Sequence, residues 1–404
     1  MNDHYDAIVV GARCAGSPTA MLLARKGYRV LLIDRAEFPS DTISSHYMHQ
    51  PGVARLEAWG LLDALRASGC PPTRRLRFDV GSFALEGAPP PADGVREGFA
   101  PRRFILDKIL VDAAVSAGAE MRQGFTVTGL VWDGERVVGI EGHDRVSERS
   151  IRERARLVVG ADGRHSTVAR LVGASEYGVT PPLTCAYYAY WSGLPLAGAE
   201  IYSRPGLGVL VGPTHHGHAV VQVFWPHAAF HQVRTDVEAN YLRALEATPA
   251  LLERVREAHR EEPFRGAADL TNFLRMPCGP GWALVGDAGF HKDPIMGHGI
   301  MDAFRDAQLL ADGVDAGLSG RLPLHDALAL YAHMRDIVAV PSLAATVRFA
   351  RLSLPPEIER LLPALRGRQE EIDRFFGTLA GTIAPQLFYS DDNLKQLMAA
   401  APGV

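Results

Sequence analysis

Three glycine-rich stretches of this 404-residue chain each follow a short apolar run, and each can bring backbone amides to a phosphate or a flat ring. The first, GARCAG over residues 11–16, stands between the β-branched run 6–10 and a helical pattern carried by Ala20, Leu22, Leu23 and Ala24. Asp34 lies 23 residues beyond Gly11, at the end of a second apolar run over 28–33. That is the placement of a dinucleotide-binding fingerprint. Gly11 allows the tight turn, Gly16 allows close helix packing, the helix N-terminus faces a pyrophosphate, and Asp34 accepts from ribose hydroxyls. Arg13 departs from the pattern, since it occupies the place of a glycine whose missing side chain lets backbone approach the phosphates. Its guanidinium either points outward or adds a positive donor to the pyrophosphate.

The second stretch, GADGRHSTVAR over 160–170, follows the apolar run 157–159, and the third, GDAGFHKDPIMGHGIMDAFRDA over 286–307, follows 282–285. In the third, Gly297 and Gly299 remove side chains where backbone must approach a planar ring, and Ile300, Ala303, Phe304 and Ala307 follow at helical spacing. A helix that starts there turns its positive end toward the ring and stabilises negative charge on it.

Taken in order, the three motifs resemble the FAD-dependent aromatic hydroxylase superfamily, the class A flavoprotein monooxygenases with para-hydroxybenzoate hydroxylase as a familiar member. Geranylgeranyl-reductase-like and flavin halogenase branches belong to the same superfamily. The resemblance implies that Gly11, Ala15 and Gly16 hold the turn at the FAD pyrophosphate beside Arg13. Asp34, shorter than the Glu more usual there, would meet the adenosine ribose, with Arg35 next to it. Arg103, opening the RxxLD pattern that ends at Asp107, would reach FAD from its own helix start. Asp162 and Gly163 match the superfamily's DG pair, linked to FAD and NADPH handling. Asp287, after Gly286, would contact the ribityl chain or pyrophosphate, Pro294 would lie near the isoalloxazine, and the amides from Gly297 to Gly299 would approach its pyrimidine edge.

The activity implied is a single-component FAD monooxygenase. NAD(P)H visits transiently as reductant, oxygen adds at the flavin C4a, and the hydroperoxide hydroxylates a small, electron-rich aromatic substrate. The alternatives are a flavin-dependent reductase of isoprenoid double bonds and a non-catalytic flavin-binding protein. Halogenation is disfavoured, because Trp191-Ser192-Gly193-Leu194-Pro195 does not form the WxWxIP pattern of that branch. His46 follows Ser44-Ser45 in a loop that passes the flavin in the superfamily, and an imidazole there is the candidate catalytic base for a substrate hydroxyl.

Other residues carry weaker signals. His215, His216 and His218 read as a solvated hairpin turn between 207–211 and 219–225, and Arg74, Arg75 and Arg77 as a solvated rim. His291 and Lys292, just before Pro294, face either the flavin and substrate or solvent. Cys14, Cys70, Cys185 and Cys278 have no metal or disulfide spacing, so free thiols are expected and no metal.

The elements needed to position these residues follow from periodicity. The opening βαβ unit specifies an α/β, Rossmann-like fold, which the resemblance implies is an FAD-binding domain over 1–70, 101–175 and 276–325. Within it, 139–159 reads as strands around a polar turn. Aromatic and β-branched segments such as CAYYAYW and VVQVFW specify a mostly antiparallel substrate-binding sheet domain over 71–100 and 176–275. A helical C-terminal region, 326–404, is punctuated by Pro341, Pro355, Pro356 and Pro363. A small-molecule substrate is the expected partner, and oligomeric state is left open. With 42 Lys plus Arg against 46 Asp plus Glu and no basic tract, nucleic acid is excluded as a partner. No apolar run approaches the ~18 residues of a membrane span, and the N-terminus lacks a signal-peptide pattern, so a cytoplasmic chain is expected.

Overall fold

The computed structural model describes residues 4–145 and 149–399. The strand Tyr5–Val10 pairs in parallel with Val30–Ile33 on one side and Ser150–Gly160 on the other. Glu120–Arg122 and Trp282–Leu284 extend the parallel sheet outward. Every residue of Val30–Ile33 is buried, as befits a strand covered on both faces. Helix α1 (Gly16–Arg25) is the first crossover, with Pro18 in the first turn, where no amide donor is needed. Helices α2 (Arg103–Ser116) and α3 (Gly299–Leu318) pack beside α1 and complete one layer.

Ser150–Gly160 serves two sheets. Its first half pairs antiparallel with Arg136–Asp144 as far as Arg154, and from Ala155 it joins the parallel sheet. Burial follows the pairing: exposed and partly covered residues alternate in the first half, and the run from Leu157 is continuously buried. Of the polar stretch read as a turn, residues 146–148 lie outside the described residues.

The second sheet places Thr184–Ser192, Ala219–Pro226, Leu207–Pro213 and Ala199–Arg204 side by side, all antiparallel. Leu76–Asp79 then adds in parallel to Ala199–Arg204, and Ala84–Gly87 extends that edge. Val209, Val211, Val221 and Val223 pack with Tyr241, Leu245 and Leu251 from the helices Val237–Leu245 and Pro249–Glu257. Leu76, Phe78 and Leu85 pack on Phe375 and Phe376 of Gln369–Ala380. The C-terminal helices therefore cap this edge of the second sheet.

One expectation about the tail is corrected. Pro341 does not interrupt it but lies inside the 26-residue helix α4 (Leu324–Phe349). It sits on the exposed side, four residues after the exposed Ile337, whose carbonyl loses a helical donor where water can replace it. Among the described residues, no helix is long and apolar enough to cross a membrane.

Candidate functional site

The turn from Tyr5–Val10 into α1 has no room for larger residues. Gly11 has φ 101°, and a Cβ there would meet the Ala161 carbonyl; at Gly16 a Cβ would land on the carbonyl oxygen of Gly11. The turn is thus wedged against Ala161 and Asp162 at the end of Ser150–Gly160. No side chain caps the N-terminus of α1 at Ala15, which leaves its first amides open to an anion. Asp34, 8% exposed, is oriented by the amides of Ala12 at 2.7 Å and Ala36 at 2.8 Å. Both oxygens keep further lone pairs for ribose hydroxyls. Arg35 lies exposed beside it.

Arg13 turns toward α2. Its Nη1 lies 2.6 Å from Asp107 Oδ2, and its Nη2 donates to Ser40 Oγ at 3.0 Å. Asp107 also accepts from Arg103 at 3.0 Å and from Cys14 Sγ at 3.4 Å. Burial works against the charge of Arg103, yet Asp107 holds its pKa above the ordinary arginine value, and Asp287 adds to this. Arg103 consequently lies between the α1 turn and the third motif.

In that third motif, Gly286 packs so closely that an added Cβ would lie 2.6 Å from the Ala15 Cβ. Asp287 is exposed and accepts no hydrogen bond from any described residue. Asp293 accepts from Ile295 N at 3.1 Å and from Thr184 Oγ1 at 2.6 Å, tying the turn Pro294–Met296 to the second sheet. Burial raises its pKa to about 6. Gly297 takes φ 67°, and α3 starts at Gly299. A cavity of about 250 Å³ lies against Gly286, Asp287, Lys292, Gly299 and Asp302.

Lys292, left open between flavin and solvent by sequence, is buried with its Nζ 2.8 Å from Asp302. Burial and neighbouring cations are countered by Asp302, and the net effect lowers the lysine pKa. Burial would raise the Asp302 pKa, but Lys292 and Arg305 outweigh it and bring it down to about 2. His291 is also buried and its Nδ1 donates to Thr271 O at 2.6 Å.

A larger cavity, about 980 Å³, opens on the other side of the Pro294–Gly297 turn. Ile295, Met296 and Gly297 form one wall, the second sheet another, and Phe349, Leu352 and Leu354 a third. Ser45, Tyr47 and His49 line it, whereas His46 does not. His46 has φ 64°, which turns its ring back to Tyr190, with Nε2 2.6 Å from the phenol oxygen. Burial, then Arg103 and Arg102, lower its pKa to about 3. The structure therefore buries the His46 ring against Tyr190 and out of the wall of this cavity, a correction to its reading from sequence as a base open to a ligand. His49 Nε2 donates to Met296 O at 3.1 Å, and burial lowers its pKa to about 4.

Asp162 caps the helix Thr167–Leu171, accepting from Ser166 Oγ at 2.5 Å and Thr167 N at 2.6 Å, while the space beside Gly163 is open. The histidine turn also needs correction. His215 is 1% exposed, accepts from Arg102 N at 3.1 Å and lies 2.9 Å from Ser68 Oγ, because the hairpin docks on the chain entering α2. His216 is exposed. Arg74 and Arg75 are exposed, and Arg77 pairs with Glu86 at 2.6 Å. The four cysteines are free thiols.

Sequence reasoning named Asp107 only as the end of the RxxLD pattern, without its partners, and missed three participants: Asp293, Asp302 and His49. Asp107 was legible from its i,i+4 spacing to Arg103, and Asp293 from its place before Pro294 as a capping residue. Asp302 was legible in the same way from its i,i+3 spacing to Arg305, while His49 carries no local signal.

The uncapped α1 start, oriented Asp34, unpaired Asp287 and open flanks of Gly163 and Gly299 fit a dinucleotide that ends in a flat ring. A family model described as FAD binding domain matches residues 4–340. Tryptophan 2-halogenase of Chondromyces crocatus is 26% identical over 337 residues, 80% of this chain and 63% of the halogenase, so the match spans less than two thirds of that relative. Digeranylgeranylglycerophospholipid reductase 1 of Methanococcoides burtonii is 30% identical over 333 residues, 78% of this chain and 75% of the reductase. Among solved structures, a flavoprotein/dehydrogenase from Cytophaga hutchinsonii superposes with a TM-score of 0.82 at 18% identity, covering 98% of both chains. PqsL of Pseudomonas aeruginosa, described as a probable FAD-dependent monooxygenase, gives 0.74 at 21% identity over 86% of this chain and 96% of its own. These likenesses establish a common fold.

Proposed function

Since this chain belongs to the FAD binding domain family and is an FAD-dependent flavoenzyme, we propose that it is a monooxygenase that uses NAD(P)H and dioxygen to hydroxylate a small aromatic substrate. Bound FAD supplies the redox centre that accepts reducing equivalents and activates oxygen. The chain would hold it with the α1 turn, Asp34, Arg103 and Asp287, and set its ring against Pro294 and the amides of Gly297 to Gly299. The observation that carries the reading is the cavity of about 980 Å³ that meets this same turn through Ile295, Met296 and Gly297.

Three contributions of the protein follow. The start of α3, which no side chain caps, turns the positive end of a 20-residue helix toward Gly299, where it favours negative charge on a bound ring, and Lys292 neutralises the neighbouring Asp302. Aliphatic walls exclude water from the reacting centre. Asp293, bonded to Thr184, holds the ring-facing turn at a fixed distance from the substrate-side sheet. NAD(P)H has no nucleotide domain of its own in this reading and visits the FAD site transiently.

The test is a panel of aromatic ligands scored by stimulated NAD(P)H oxidation, with product and peroxide quantified. Stimulation with hydroxylated product supports the proposal; oxidation yielding only peroxide across the panel contradicts it. A second reading, reduction of an isoprenoid double bond, is favoured by the apolar cavity and by the reductase relative. Saturated product formed with dioxygen excluded would select it.

A further inference from the structure

The chemistry of the large cavity narrows the substrate class, an inference that rests on reading this cavity as the substrate site. Its walls are mainly aliphatic and aromatic, with Leu76, Phe78, Leu210, Val211, Leu352 and Leu354 among them. Among the described residues that line it, Glu200 is the one charged side chain. Glu200 is already closed: Arg254 grips its two oxygens at 3.0 and 2.6 Å, and Tyr202 donates to it at 2.6 Å. Arg254 thus spends its fork on Glu200, and no arginine or lysine lines the cavity to meet a ligand anion. An anionic group entering here would lose its hydration with no cation in return.

Two side chains of the lining, Gln222 and His49, have their donor side fixed by a hydrogen bond to a backbone carbonyl. Gln222 Nε2 donates to Ser45 O at 2.7 Å, and a carbonyl only accepts, so the amide cannot be flipped. Its Oε1 is left with no donor among the described residues. His49 has the same donor assignment, since its Nε2 carries the proton given to Met296 O, but its Nδ1 is enclosed by the protein and not open to a ligand, which leaves Gln222 Oε1 as the acceptor. Both residues line the cavity, and His49 lies against the ring-facing turn. The complement to such a site is a ligand that brings a donor.

We infer that the substrate is an uncharged, lipophilic aromatic molecule with a hydroxyl or N–H group, and that aromatic carboxylates are rejected. Gln222 is the specificity-determining acceptor for that donor.

Calorimetric titration of the oxidised holoenzyme, without reductant, decides the matter with three probes: para-(para-hydroxyphenyl)benzoic acid, its methyl ester, and the methyl ether of that ester. At neutral pH the hydroxy ester is expected to bind at least about tenfold more tightly than the acid, and more tightly than the ether by about the same factor. Leu210→Arg, which sets a cation in the wall, is expected to reverse the preference between acid and ester. Gln222→Leu is expected to erase the difference between phenol and ether while the preference for ester over acid persists. An acid that binds as tightly as the ester, or a hydroxy ester that does not bind, overturns the inference on the unsubstituted protein alone. Because binding is read without turnover, the two failures separate. The expected affinities without oxygen transfer would count against the monooxygenase reading only, and hydroxylation of a carboxylate would count against this inference only.

Discussion

Arg13 and Asp107 meet at 2.6 Å across the gap between the first turn and α2, and the Asp107 side chain is fully enclosed. Arg103 holds the other oxygen of the same carboxylate at 3.0 Å. The starts of α1 and α2 are thereby stapled by one buried anion, and the guanidinium of Arg13 is committed to it and to Ser40.

Arg13→Gly is therefore expected to cost stability more than cofactor. Loss of this charge-assisted contact should lower unfolding free energy by about 1.5–3 kcal/mol, while the FAD dissociation constant stays within about threefold. Denaturant unfolding and fluorescence titration with FAD check both. A tenfold or larger loss of FAD affinity would place Arg13 on the pyrophosphate.

Asp287→Ala should behave in the opposite way. Asp287 is exposed and accepts no hydrogen bond within the described chain, so its removal leaves the fold unchanged. A charge-assisted bond from an FAD hydroxyl to Asp287 would be worth about 1.5–3 kcal/mol, and affinity should fall by that amount. An unchanged dissociation constant with normal folding would remove Asp287 from the cofactor site.

Breaking the Lys292–Asp302 pair should be costly. Both side chains are less than a tenth exposed, and Asp302→Asn leaves the lysine charge without its partner. A loss of about 3–5 kcal/mol is expected, with the double variant Lys292→Met, Asp302→Leu recovering much of it. A double variant destabilised by the sum of the losses in Lys292→Met and Asp302→Leu taken singly would show that the two residues are not coupled.

Acid should destabilise the fold through its buried histidines. Burial lowers His46 and His298 to about 3, and His49 and His215 to about 4, from an ordinary 6.5. Their neutral forms are favoured in the folded state, so this stability is full above pH 6.5 and is lost as pH falls toward those values. Each contributes a slope of up to about 1.4 kcal/mol per pH unit in that window. Urea midpoints measured from about pH 7 down to pH 5 should fall steadily, and less steeply in His46→Gln. A midpoint that is flat over this range would contradict the burial assigned to these rings.

The parts of the fold legible in sequence are those decided by neighbours along the chain. Gly11, Gly16 and Asp34 could be read because backbone sterics and strand length set their positions within one βαβ unit. The Arg13–Asp107 contact spans 94 positions, and nothing local announces it. His46 and His49 illustrate the same limit at short range. Both stand in one loop, but the positive φ at His46 turns its ring toward Tyr190, while His49 lines the cavity. His215 was misread because a polar hairpin turn normally meets water, and here it meets the entry to α2. Pro341 was read as punctuating the tail, although it lies on the exposed side of α4, where water can take the place of the missing donor.

The most direct test of the central claim uses heavy-isotope dioxygen. Holoenzyme, NAD(P)H and a hydroxylated ligand that binds the large cavity are allowed one round of turnover, and the product mass is measured. The account predicts one heavy oxygen atom in the product for each nicotinamide oxidised. A product that carries oxygen from water, or a saturated product formed without oxygen uptake, would contradict it.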